Sequence, residues 1–328
     1  MTHRLIYLNG EFVPEDRAQI SIYDSALMFG DMVFEMTRSF NGDQFKLEEH
    51  IDRLMNGIKI LRIPLTKTSQ EIIDLCEQTV AKNVDAFAAD DEHRLMIDVT
   101  RGVLDIYGRI DGLHQGPNLI ISDFPLRWTV RGMSRFFEDG INAVIPSQRS
   151  IPARLLDPKI KSRSRLHYMM ANIEVSQAEG ARYWPLLLDP DGFITEGTGN
   201  NFFVVKDGIV LTPEGRNILR GISRAYVIDE LAPQLGLEVV VTNLEPYDVY
   251  TADEAFMTGT PFCMLPVTSL NGVALGEGGV GPMFRELLSK WSGNVGVDIS
   301  AQILRWDQGE PKSSMGKGTS PYEFGPGT

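Results

Sequence analysis

The chain opens on short runs in which apolar and polar residues alternate, broken by Asn-Gly pairs. Ile6-Tyr7-Leu8-Asn9-Gly10-Glu11-Phe12-Val13 predicts two strands around a tight turn, because Asn and Gly both tolerate positive φ. The same device recurs from Phe34 to Phe45 around Asn41-Gly42. The period then lengthens. Leu47, Ile51, Leu54, Met55, Ile58 and Leu61 fall at spacings of three and four, which places them on one face of a helix. Thr68-Ser69-Gln70-Glu71 is a capping-box start for a second helix ending near Asn83. Arg94 to Gly102 and Asn118 to Ser122 read as sheet strands.

The second half mixes the two periods. Leu186–Leu188, Asn201–Val205 and Ile209–Leu211 are expected strands, with Asp191-Gly192 and Asp207-Gly208 as tight turns. A helix-like segment covers Ser164 to Glu179, and a second helix runs from Ser223 to Leu235, closed by Gly236. A strand follows from Leu237 to Val241, then an Asn271-Gly272 hairpin, then an amphipathic helix from Pro282 to Trp291. Residues 1–123 read as a small domain, 124–135 as a linker with Pro125 and Gly132, and 136–306 as a larger domain. Residues 307–328, rich in Gly, Pro, Ser and Lys, read as a loosely packed tail. No internal repeat with a solenoid period occurs.

A chain of 328 residues, 43% apolar and 23% charged, is long enough for one large or two ordinary globular domains. The net charge of −13 argues against a nucleic-acid surface, yet leaves room for a local basic pocket. Met1-Thr2-His3-Arg4 opens no signal-peptide core, and no apolar run approaches the ~18 residues a membrane span needs. Two cysteines, Cys76 and Cys263, supply neither a disulfide framework nor a Cys-based zinc site, and no metal is expected. A cytoplasmic enzyme fits these bounds.

Candidate chemistry centres on Leu156-Asp157-Pro158-Lys159-Ile160-Lys161-Ser162-Arg163. A lysine among arginines is ordinarily a solvated charge. What changes that picture lies downstream: Ile194-Thr195-Glu196-Gly197-Thr198-Gly199-Asn200-Asn201, then Leu219-Arg220-Gly221-Ile222-Ser223, then Met257-Thr258-Gly259-Thr260. In that order the chain, from about Tyr7 to Ile303, resembles the fold-type IV pyridoxal-phosphate aminotransferases. That family includes branched-chain and D-amino acid aminotransferases, (R)-amine transaminases and aminodeoxychorismate lyase.

The resemblance implies an α/β (α+β) fold with a small N-terminal and a larger C-terminal domain, and pyridoxal 5′-phosphate at the domain interface. It also implies amino transfer between an amino acid or primary amine and a 2-oxo acid, and a homodimer. Lys161, in its Ile-Lys-Ser context, matches the lysine that forms the Schiff base and later moves the α-proton; Lys159 is the competing candidate. Glu196 matches the carboxylate that keeps the cofactor ring nitrogen protonated. Leu219 matches a residue packed on the ring. The Ile222 amide, Ser223, Thr260, the Gly259 amide and Arg53 match a phosphate cup, in which Ser223 is alternatively an N-cap. His50, three residues before Arg53, is either a surface residue or part of that site.

Two departures leave roles open. Many relatives carry a tyrosine five residues after the lysine, bonded to the cofactor phenolic oxygen; here that position is Leu166, with Tyr168 or Arg165 as substitutes. Neither the Arg-x-His pair of the D-amino acid enzymes nor the Tyr-x-Arg-Pro strand of the branched-chain enzymes is present. Phe29, on a segment resembling the family's active-site loop, and the cations Arg38, Arg101 and Arg109 are therefore the expected substrate residues. A lyase, or a cofactor-binding homologue without catalysis, remains the alternative.

Overall fold

The computed structural model describes residues 3–108, 111–177 and 183–309. It divides into two compact units: Met1–Thr129 with Ile160–Arg165, and Val130–Lys159 with Leu166–Thr328. The boundary at Thr129 falls inside the stretch read as a linker, whose residues are partly ordered into the end of a strand and the short helix Arg127–Val130. Ile160–Arg165, counted above with the larger domain, groups instead with the first unit.

The first unit holds β1 (Leu5–Leu8), β2 (Glu11–Pro14), β3 (Met32–Met36), the small pair β4 (Ser39–Phe40) and β5 (Asp43–Gln44), β6 (His93–Thr100) and β7 (Asn118–Pro125). Among the described residues its main sheet has five strands in the order β2-β1-β7-β6-β3. Asn9 and Asn41 take positive φ at the hairpin turns, as their pairing with glycine predicts. The helices Leu47–Leu61 and Ser69–Asn83 pack their apolar stripes on one sheet face, where Val33, Leu95, Ile97, Val99 and Ile121 meet Ile51, Leu54, Ile58, Ile72 and Cys76. Both halves of the Thr68–Glu71 capping box form. Lys161 and Ser162 continue the sheet past edge strand β3: Ser162 bridges Val33, and the Phe34 amide donates to the Lys161 carbonyl at 2.9 Å.

The second unit holds β8 (Ile141–Val144), β9 (Tyr183–Leu188), β10 (Ile194–Gly197), β11 (Asn201–Lys206), β12 (Ile209–Pro213), β13 (Val239–Thr242), β14 (Glu254–Gly259), β15 (Cys263–Leu270) and β16 (Val273–Ala274). These form a nine-stranded sheet among the described residues, ordered β10-β9-β8-β15-β14-β11-β12-β13, with β16 on β15. Strands β8, β10, β14 and β15 are absent from the sequence reading; β14 and β15 are buried almost throughout and so lack alternation. The expected helix Ser164–Glu179 spans Leu166–Ser176, and Glu179 lies outside the described residues. The helix expected from Ser223 starts at Ile222, widens into a π-turn over Val227–Leu231 and ends with Ala232–Gln234 before Gly236, at φ +70. Pro233 has no N–H to donate within that last stretch. The strand expected over Leu237–Val241 covers Val239–Thr242, and the late helix runs on to Val295. Helix Ile299–Gln308 carries ordered structure past the start of the expected tail, whose residues 310–328 lie outside the described residues. Cys76 in the first unit and Cys263 in the second are fully buried. Among the described residues no helix is long and apolar enough to cross a membrane, and no His/Cys/Asp/Glu group could hold a metal.

Helix Leu47–Leu61 is fastened to the sheet by charge as well as by apolar contact. Glu35, on the helix-facing side of β3, accepts from Arg53 Nε at 2.6 Å and Arg53 Nη2 at 2.8 Å, and meets His50 Nδ1 at 2.7 Å. His50, for which a surface position was one expectation, is buried. Burial alone would raise the Glu35 pKa, but the Arg53 charge and forked bonds, with His50, hold it well below the usual carboxylate range. Burial lowers the His50 pKa despite the opposing pull of Glu35, so the ring is neutral and Nδ1–H donates. A carboxylate depressed in the folded state contributes stability above its unfolded pKa of about 4.3, and that stability is lost as pH falls. The lowered His50 pKa acts in the same direction below about 6.5, because there the unfolded chain binds the extra proton. Glu35→Gln is expected to cost about 3 kcal/mol at pH 7, because it breaks a buried ion pair. The urea midpoint of this variant is expected to fall less steeply than that of wild type below pH 4.3. Parallel pH profiles for the two proteins would show that Glu35 is not ionised in the fold.

Candidate active site

Lys161 leaves the sheet edge on the face opposite the two helices. Its Nζ lies 4.8 Å from the Phe34 ring centroid, and its charge reaches His50, whose pKa it helps to lower. Arg163, two residues on, stacks its guanidinium 3.8 Å from the same centroid and donates to Asp98 at 3.2 Å. Arg165 stands 4.9 Å from that ring and donates from Nε to the Ser162 carbonyl. Lys159 is engaged elsewhere: its Nζ donates to the Arg216 carbonyl at 3.0 Å and pairs with Asp157 at 2.8 Å. Of the two lysines, Lys161 is the one beside aromatic and cationic neighbours suited to a reactive amine.

In the second unit the buried carboxylate of Glu196 gathers donors from three segments. Tyr168 donates its hydroxyl to Oε1 at 2.7 Å, Asn201 Nδ2 donates to Oε2 at 3.0 Å, and the Leu219 amide donates to both oxygens at 3.0 and 3.1 Å. Asn201 Nδ2 also donates to the Leu219 carbonyl at 2.9 Å, closing a ring of bonds. Tyr168, open above as a partner for the phenolic oxygen, has its hydroxyl on Glu196. Leu166 is largely exposed.

Just beyond Leu219, Gly221 is the N-cap of the helix beginning at Ile222, so Ser223 sits within the first turn rather than at its cap. A Cβ at 221 would collide with the Asn201 side chain, so glycine is required for the close approach. The amides of Ile222 and Ser223 lie in that first turn, where an anion finds unpaired N–H groups and the positive dipole end. Gly259 ends β14, with Thr260 following, and the hydroxyl of Thr258 is buried without a hydrogen-bond partner. An orphaned hydroxyl on the strand beside Asn201 and a set of amide donors fit a phosphorylated ring compound that places a nitrogen toward Glu196. Those residues suit the cofactor implied by the sequence.

The expected substrate cations are placed differently. Arg101 forks onto Asp31 at 2.5 and 3.1 Å and donates to the Leu61 and Arg62 carbonyls at 2.7 and 2.9 Å, so it closes the end of helix Leu47–Leu61. Arg38 is buried, stacks 3.8 Å from the Phe40 ring centroid and donates to the Ser39 carbonyl. Arg109 lies outside the described residues. Phe29 ends the short helix Ser25–Phe29, well exposed. Asn201 escaped the sequence reading as a site residue; its signal is a strand-disfavoured residue that opens a buried strand shortly after the Glu196 strand.

Residues 32–270 match the model of the amino-transferase class IV family. A Methanocaldococcus jannaschii protein, provisionally named a branched-chain-amino-acid aminotransferase, is 38% identical over 290 residues, covering 87% of this chain and 94% of that one. The crystal structure of Escherichia coli branched-chain amino acid aminotransferase superposes with a TM-score of 0.78 at 30% identity, covering 89% of this chain and 94% of that one. The corresponding T.th. enzyme, complexed with N-(5′-phosphopyridoxyl)-L-glutamate, gives a TM-score of 0.76 at 27% identity, covering 94% of this chain and 98% of that one. With a pyridoxal-type cofactor in such a neighbour and a matching donor set here, the chain belongs to the class IV, fold-type IV aminotransferases, enzymes that use pyridoxal 5′-phosphate to pass amino groups to 2-oxo acids.

Proposed function

We propose that this aminotransferase takes branched-chain and similarly apolar amino acids as donors, working as a homodimer in the cytoplasm. The observation that carries the reading is the Glu196 carboxylate, held by donors from Tyr168, Asn201 and the Leu219 amide. Such a group fits a fixed partner for a cofactor ring nitrogen. The names of the relatives support the donor class. Buried thiols not joined in a disulfide suit a reducing compartment.

Bound pyridoxal phosphate supplies the electron sink for the pair left when the α-carbon loses its proton. Lys161 Nζ would hold the cofactor and would take and return the α-proton. Glu196 would keep a proton on the ring nitrogen, and Leu219 would pack against the ring. The amides of Ile222, Ser223 and Gly259, with Thr260 and Arg53, would hold the phosphate; the grip of Glu35 on Arg53 fixes the plane of that guanidinium. Dimerisation is supported by an apolar surface in the first unit, where Ile22, Leu27, Phe29 and Ile106 are all exposed and Tyr23 packs on Tyr107.

Borohydride reduction followed by digestion and mass spectrometry is expected to find the cofactor on Lys161; an adduct on Lys159, or on neither, would sink the assignment. Glu196→Gln is expected to retain cofactor yet slow the single-turnover amino half-reaction ~100-fold or more, the scale of losing one preorganised electrostatic partner. A near-wild-type rate would remove Glu196 from the chemistry. Release of pyruvate from an aminodeoxychorismate-type substrate without amino transfer would instead favour a lyase. Leu27→Asp is expected to convert a dimer to monomer in light scattering; an unchanged mass would place the interface elsewhere.

A further inference from the structure

The turn between β14 and β15 is built around a buried ring, Phe262. Gly259 and Cys263 face each other across the ladder and close a loop of Thr260, Pro261 and Phe262. Phe262 is only 3% exposed, and its ring fills the place that a side chain on Gly259 would need. A Cβ there would stand 2.7 Å from Cζ and 3.2 Å from both Cε atoms. Two further rings brace it. Trp184 of β9 meets Phe262 edge-to-face at 5.7 Å and 86°, and Phe136 meets Trp184 in the same way at 6.3 Å and 88°. Such contacts fix the plane of a ring as well as its position.

The backbone bends tightly to put the ring there. The Met264 amide donates to the Phe262 carbonyl at 2.8 Å, and the fully buried Cys263 takes φ 65. Few residues other than glycine, Asn and Asp adopt that region, and one held there needs surroundings that enforce it. Gly221 shows the same relation on the other side of the expected phosphate cup, where its missing Cβ leaves room for Asn201. Asn201 is tied by hydrogen bonds, whereas Phe262 acts by volume alone.

We propose that Phe262 is a positioning residue of the phosphate cup, its ring holding the Gly259–Thr260 backbone in the shape that grips the phosphate. The proposal rests on the aminotransferase reading, in which Gly259 and Thr260 contact the cofactor phosphate. Phe262 acts through the turn and not by a bond of its own. Without the ring the donors remain, but their shape must be ordered anew each time the phosphate binds, which weakens the grip.

The test is binding to the full chain, stripped of cofactor and titrated separately with pyridoxal 5′-phosphate and with pyridoxal, which lacks the phosphate. Phe262→Ala is expected to raise the Kd for pyridoxal phosphate at least ~tenfold, the lower end for one charge-assisted contact, and to move the Kd for pyridoxal by less than about twofold. Phe262→Leu, which keeps much of the volume and loses the flat ring, is expected to fall between. Gly259→Ala is expected to weaken pyridoxal phosphate when the ring is present, and to cost less than about twofold once Phe262→Ala has made room. A ring that merely packs the core would loosen the whole pocket, so equal losses for both ligands overturn the proposal. Unchanged binding of pyridoxal phosphate overturns it as well, as do additive losses in the double variant. Should the alanine variant fail to fold, the leucine variant decides: a loss confined to pyridoxal phosphate supports the role, and any other result overturns it. A wild-type chain that binds both compounds equally overturns the reading of these residues as a phosphate cup, and the proposal falls with it.

Discussion

The buried carboxylate of Glu196 is the point to which the second unit ties its working parts. A helix residue, Tyr168, a strand residue, Asn201, and a loop amide at Leu219 all donate to it. Removing it would take an acceptor from each of these donors, while Asn201 would keep the Leu219 carbonyl. Asn201 makes the arrangement stiffer by also holding the Leu219 carbonyl and by filling the space against Gly221 where a side chain would otherwise stand. Position of the carboxylate, direction of the Leu219 loop and start of the following helix are thus set together. The position of Glu196 and the order around it cannot be varied separately.

The first unit treats charge in opposite ways on the two faces of one sheet. On the helix side Glu35 neutralises Arg53 while burial keeps His50 uncharged, so a polar cluster is buried without net excess. On the other side Lys161, Arg163 and Arg94 accumulate, and the acid among them is Asp98. Burial pushes the Asp98 carboxyl up even as Arg163 pulls it down, so its compensation is weak. A chain with a net charge of −13 therefore keeps a local positive face, the potential an anionic substrate meets on approach.

Local signals made much of this legible. Asn-Gly turns, the Thr68–Glu71 box and the helical stripe from Leu47 are short-range instructions, and each appears where its pattern lies. The order of the Lys161, Glu196, Ser223 and Thr260 motifs led to the family that the comparisons establish. Strands β14 and β15 were illegible because burial on both sides erases the alternation by which a strand is read. Arg94 was illegible for a different reason. An arginine in an alternating strand reads as solvent-facing, and only the fold shows that its neighbours are a thioether, an aromatic ring and other cations. Arg101 shows the converse: a cation at a strand end looks available in sequence, yet Asp31 and two helix-end carbonyls occupy it.

The two cysteines, one per unit, give the molecule a pair of internal clocks. Cys76 is sealed in the core under helix Ser69–Asn83, where burial pushes its thiol far above the ordinary range. Cys263 opens β15 in a left-handed conformation at φ 65, equally shut off from solvent. A thiol reagent reaches either one only when its surroundings open. The rates at which the two sulfurs are alkylated therefore time the opening of each unit separately, and cofactor binding is registered as a slowing of whichever unit it tightens.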